Sequence, residues 1–140
     1  MYRHTQVAPW AVIGFVVGVA IIAAVTPTWA ALFPIGLVFV CFLLFYKLTV
    51  AVDASELQVI YGVGVLKFRF PIAEIAHCQP ARNKWWYGWG IRYLGRGNWL
   101  YNISGLEAVE LTLRNGKKPR IGTDEPEKLT RAISEKLKPQ

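Results

Sequence analysis

Residues 7–25 read VAPWAVIGFVVGVAIIAAV, nineteen positions without a charge and almost without a polar atom. At 1.5 Å of rise per residue a helix of this length measures about 28 Å, close to the hydrocarbon thickness of a bilayer. The stretch predicts a membrane span. Residues 29–46, WAALFPIGLVFVCFLLFY, repeat the feature after the break TPT, whose Pro27 ends the first helix and permits a reversal. An unpaired peptide group is costly in hydrocarbon, so both segments are expected to be helical throughout, the neighbouring helix compensating for the interruption at Pro34. The expected unit is a two-helix transmembrane hairpin over residues 1–47, with spans at about 7–25 and 29–46.

Two other readings compete. Arg3 is a weak basic prelude to a cleaved signal peptide, but cleavage would leave a mature chain opening on another spanning helix. The stretches also fit core helices of a soluble domain, although two such uncharged runs are unusual in 140 residues. Orientation follows from the cations. Arg3 precedes the first stretch, Lys47, Lys67 and Arg69 follow the second, and the connecting turn has none, which predicts a multi-pass inner-membrane protein with both termini cytoplasmic. Cys41 and Cys78 form no CxxC, in keeping with a reducing compartment and offering no metal motif.

After Lys47 the composition changes. Residues 48–140 hold fourteen basic and nine acidic side chains and form a domain of their own. LTVAVD (48–53) and VLKFRFPI (65–72) alternate with period two, as strands with one wet face do. ELQVIY, AEIAHCQ, GIRYL, WLYNI, EAVELTLR and KPRIG are further strand candidates. Asn115-Gly116 is a hairpin dipeptide, with positive φ expected at both positions, and DASE (53–56) is a polar turn. A closing helix is expected over 125–137, with Asp124 as N-cap, Glu127 completing a capping box, and Leu129, Ala132, Ile133 and Leu137 on one stripe.

A spanning hairpin, a run of short strands, the segment GLEAVELTLRNGKKPRIGTDEPEKL (105–129) and a final helix together resemble the bacterial pleckstrin-homology-like membrane proteins. The resemblance covers roughly residues 47–137 and is strongest from Val109 to Leu129. It implies a membrane-anchored, mainly β (α+β) fold: a helical hairpin followed by a PH-like barrel of about seven antiparallel strands, capped by the C-terminal helix. Eight candidate segments stand against those seven strands, leaving GIRYL and WLYNI as a strand and a loop or as one irregular strand. The family's phosphoinositide site, basic residues flanking the first strand–strand loop, is not matched by DASE. Lys67 and Arg69 bring the residue types on another strand.

No HExxH, GxSxG, Walker-type or dinucleotide-binding motif is present, and no cofactor or metal site is implied. His77 and Cys78 are adjacent, but neighbours on a strand face opposite ways. The expectation is a noncatalytic membrane-anchored adaptor; the alternative is an enzyme or enzyme subunit acting on a membrane substrate.

Binding chemistry concentrates in NKWWYGWGIRYLGRGNWLYN (83–102), which holds four tryptophans, three tyrosines, a lysine and two arginines. Tryptophan and tyrosine favour the head-group level, and arginine pairs with phosphate. Trp85, Trp86, Tyr87 and Trp89, with Arg92 and Arg96, are expected to meet anionic head groups or a protein partner, including another copy of the chain, helped by Lys67 and Arg69. The other use of these rings is to close the mouth of the barrel. Nucleic acid would also suit cations among aromatics, but the membrane tether argues against it. Gly14 and Gly18 form a GxxxG in the first span, suited to close packing on the second span near Gly36 or on another copy.

Overall fold

A computed structural model describes residues 2–88 and 90–138. Its elements are β1 (Tyr2–Val7), α1 (Pro9–Val25), α2 (Thr28–Phe45), β2 (Lys47–Val52), β3 (Glu56–Tyr61), β4 (Leu66–Pro71), β5 (Ile75–Arg82), β6 (Ile91–Gly95), β7 (Asn98–Tyr101), β8 (Glu107–Leu113), β9 (Arg120–Gly122) and α3 (Pro126–Leu137), with 3-10 turns at Ile72–Glu74 and Trp85–Tyr87.

The architecture is mixed α/β, three α-helices with two sheets among the described residues. One sheet has the order β1-β2-β3-β4 and is antiparallel; the other has the order β5-β8-β9-β7-β6, with β7 and β9 parallel. The single barrel-like sheet of about seven antiparallel strands is therefore corrected to two sheets, with nine strands among the described residues. The parallel pair arises because β9 inserts between β8, its antiparallel neighbour, and β7. GIRYL and WLYNI are two strands, β6 and β7, joined over Arg96-Gly97. Residues 2–7, grouped by sequence with the helices, pair along their whole length with β2, from Tyr2↔Val52 to Val7↔Lys47.

The core lies between the sheets. β3 turns Leu57, Val59 and Tyr61 inward and leaves Glu56, Gln58 and Ile60 half-covered, the alternation of a strand with one wet face. Ile75, Ile103, Val109, Leu111 and Ile121 meet them from the other side. The Tyr61 hydroxyl donates to Asn102 O at 3.0 Å, and burial pushes it far above the ordinary tyrosine range. α3 packs on β5 and β8 through the fully buried Leu129 and Ile133. Cys78 is buried beneath it, its Sγ 3.4 Å from Ser134 Oγ, while His77 is exposed, as strand alternation requires.

The N-terminus of α3 departs from expectation. Its N-cap is Glu125, with no side-chain cap bond. Asp124 instead meets His4 Nε2 of β1 at 2.5 Å, and Glu125 accepts from Tyr2 and Lys128. The Asn115-Gly116 turn also differs: Leu113 O accepts from Gly116 N at 3.0 Å, and only Gly116 has positive φ. This is the longer, bulged hairpin loop.

α1 and α2 are joined by two residues and pack together, Phe15 stacking on Phe42 at 4.8 Å between centroids. Pro34 lies inside α2 without ending it. α2, at 18 residues, is long and apolar enough to cross a bilayer; α1, at 17, is apolar but shorter. Only 6% of α2 is buried, which a core helix of this composition would not tolerate. α2 is thus a candidate membrane span near the N-terminus.

Candidate functional site

Both helices join the sheets with almost no linker. Ala8 alone separates β1 from α1, Tyr46 alone separates α2 from β2, and Ala8 N donates to Tyr46 O at 2.9 Å. The last carbonyls of a helix lack intrahelical donors. Here the β3–β4 turn supplies one, Val63 N to Leu43 O at 3.1 Å, while Gly62 N donates to Lys47 O at 2.8 Å. Gly62 is required at this contact. Its φ is +53°, and a Cβ there would lie 1.9 Å from Leu43 O.

The same turn exposes Val63 and Val65. Lys47 Nζ stands 5.2 Å over the Tyr46 ring, and the Lys67 side chain reaches back to Gly64. On the other helix, Trp10 occupies the first turn of α1 and donates from Nε1 to Ile103 O. Apolar and cationic side chains therefore ring the place where helices meet sheets. Trp10, Val63 and Val65 were not among the sequence-derived site residues. A tryptophan at the start of an apolar helix is the signal that points to the first; two isolated valines in a turn carry none.

The aromatic segment reaches this junction through its middle. Gly90, Ile91 and Arg92 stand beside α1 and α2 and, with the helices, line an open groove of about 430 Å³. Gly90 and Asn102 exchange two backbone hydrogen bonds of 3.1 Å, extending the β6–β7 ladder up to the helices. The start of the segment is held elsewhere: Asn83 N donates to Leu106 O, and Asn83 Oδ1 accepts from Arg120, which also pairs with Glu110 at 3.0 Å.

Between these anchors Trp85 and Trp86 project into solvent, 77% and 60% exposed, in edge contact with each other, with Tyr87 against Trp86. Lys84 Nζ lies 5.0 Å from the Trp86 ring centre. The exposed rings and the lysine together form an apolar patch edged by a cation. Trp89 lies outside the described residues. Tyr93 and Trp99 form a cross-strand pair, centroids 5.0 Å apart, and both are exposed.

The expected cations do not form one patch. Arg92 is at the helix end of β6; Arg96 is beyond its far end, about 13 Å along the strand. There Arg96 has φ 55°, and the adjacent Gly97 lies beside Lys117, whose Cε would stand 3.3 Å from a Cβ at that glycine. Lys67 lies near the junction, whereas Arg69, one repeat farther along β4, is 3.9 Å from Glu56 Oε1. The GxxxG divides too. A Cβ at Gly18 would touch Val38 of α2 at 3.7 Å, but at Gly14, and at Gly36, it would meet nothing within 4 Å.

No protein-family model matches the chain, and no curated protein is similar to it in sequence.

Proposed function

We propose that this chain is a noncatalytic, membrane-anchored binding module. α1 and α2 both cross the inner membrane, both termini are cytoplasmic, and the two-sheet domain is held against anionic head groups, where its aromatic surface receives a protein partner. One observation carries the reading: the sheets are mounted on the apolar helices without slack, so the face carrying Trp10, Val63, Val65, Lys47 and Lys67 cannot leave the level at which the helices enter lipid. Tryptophan and aliphatic side chains among lysines have the composition of a head-group belt, and each cation near an anionic leaflet contributes about 1 kcal/mol of attraction. The closing position of α3 on β5 and β8 supports the resemblance to the pleckstrin-homology-like membrane proteins.

Hydrogen exchange of the full chain in nanodiscs tests the reading. Peptides covering residues 62–67 and 83–97 are expected to be more protected on phosphatidylglycerol than on phosphatidylcholine. Equal exchange on both, at the level seen in detergent, would refute it.

A further inference from the structure

The groove at the junction has a polarity of its own. Its walls are Gly14 and Phe15 of α1, Phe42 and Phe45 of α2, and Ile91 of β6; among the described residues, Arg92 is the one charged residue that lines it. Along α2 it runs from Phe45 to Val38, seven residues or about 10 Å of helix. The cation comes from the sheet domain and the apolar walls from the helices, so the groove is greasy along the helices and cationic at its domain end. A leaflet lipid has the same arrangement.

We propose that this groove holds one acyl chain of an anionic phospholipid, whose phosphate pairs with the Arg92 guanidinium. The inference deepens the membrane-facing reading above and rests on it. The apolar lining and its terminal cation select the occupant. At about 430 Å³ the groove is within the range of sites that enclose small ligands. An alkyl chain is narrow enough to lie along about 10 Å of helix in such a groove, and acyl chains already lie alongside apolar helices in a bilayer. Gly14 makes the space, because a side chain there would project into the groove without meeting protein. Gly88 shapes the head-group end. A Cβ at that position would come within 3.3 Å of Arg92 Nη2, so its absence leaves the guanidinium its berth. The planar, forked donors of arginine suit a phosphodiester; phosphatidylcholine offers one too but adds a fixed quaternary ammonium that the guanidinium repels, so the net-anionic lipid is favoured.

The test uses the full chain in detergent, incubated with equal amounts of dioleoyl phosphatidylglycerol and dioleoyl phosphatidylcholine, with retained lipid counted by native mass spectrometry. Wild type is expected to hold one lipid and to prefer phosphatidylglycerol at least tenfold. Gly14→Leu, whose Cβ meets no protein atom within 4 Å, is expected to cut retention of both lipids at least tenfold at an unchanged Tm. Arg92→Gln is expected to keep a lipid and lose the preference. Undiminished retention by Gly14→Leu, or a lipid-free dimer of wild type, would overturn the proposal. If retention survives Gly14→Leu while residues 62–67 and 83–97 stay protected on anionic nanodiscs, the groove is wrong and the membrane-facing reading stands; loss of that protection removes the reading itself.

Discussion

Gly62 and Gly14 are both glycines at the helix–sheet junction, yet they do opposite things. At Gly62 a methyl group would drive into Leu43 O and φ is +53°, so the α2 C-terminus and the β3–β4 turn cannot both keep their places. Gly62→Ala is therefore expected to destabilise by at least about 2 kcal/mol, measured as a loss of thermal stability in detergent, whereas Gly14→Ala should leave stability within about 0.5 kcal/mol. Arg96 is the one described non-glycine residue with positive φ, at 55°, where an L side chain costs about 1 kcal/mol. Arg96→Gly relieves that cost at some expense in unfolded-chain entropy, and a gain of a few tenths of a kcal/mol is expected in the same melt. Neither contrast is visible in the sequence: YGVGV and GFVVG look alike as glycine pairs, and only the approach of another segment's backbone separates them.

Among the elements, the strands from 47 onward were legible because each alternates or is bounded by turn residues; all eight sequence-derived segments are strands. β1 was not. YRHTQV has no apolar alternation, its inward positions being Tyr2, His4 and Gln6, and it forms because the helices bring residue 7 back beside residue 47, where β2 has an unpaired edge. Deleting residues 2–7 should expose that edge, remove the Thr5–Thr49 and Tyr2–Glu125 bonds, and lower Tm by more than about 5 °C. The N-cap of α3 was misread for a related reason: Asp124 has the right chemistry for a cap but is drawn to His4 of β1, a strand the pattern did not reveal. Glu125, hydrogen-bonded by Lys128 and near His4, is held below the usual carboxylate range, as is Asp53, which accepts from the backbone of Ser55 and Glu56. Such groups bind fewer protons folded than unfolded, so their contribution is full above about pH 4.5 and drains away as pH falls through the lowered folded values. Glu125→Gln should flatten part of the acid limb of a Tm-versus-pH curve; an unchanged limb would remove Glu125 from it.

For the molecule as a whole, two apolar helices are planted in one face of a two-sheet domain, and the aromatic segment touches their base at Gly90–Arg92. Composition disclosed the helices and the richness of 83–102. It did not disclose that Arg92 and Arg96 stand at opposite ends of one strand, since that follows from the direction of β6, nor the groove, since that is made by what Gly14 lacks. The central claim is that α2 lies in lipid, and Cys41 reports on it directly: it is exposed on α2, while Cys78 is buried. In intact membranes carrying the full-length Cys78→Ser chain, a membrane-impermeant maleimide should fail to label Cys41 from either side and should label it once detergent and denaturant are added. Rapid labelling of Cys41 in unperturbed membranes, or recovery of the chain in the soluble fraction, would contradict the claim.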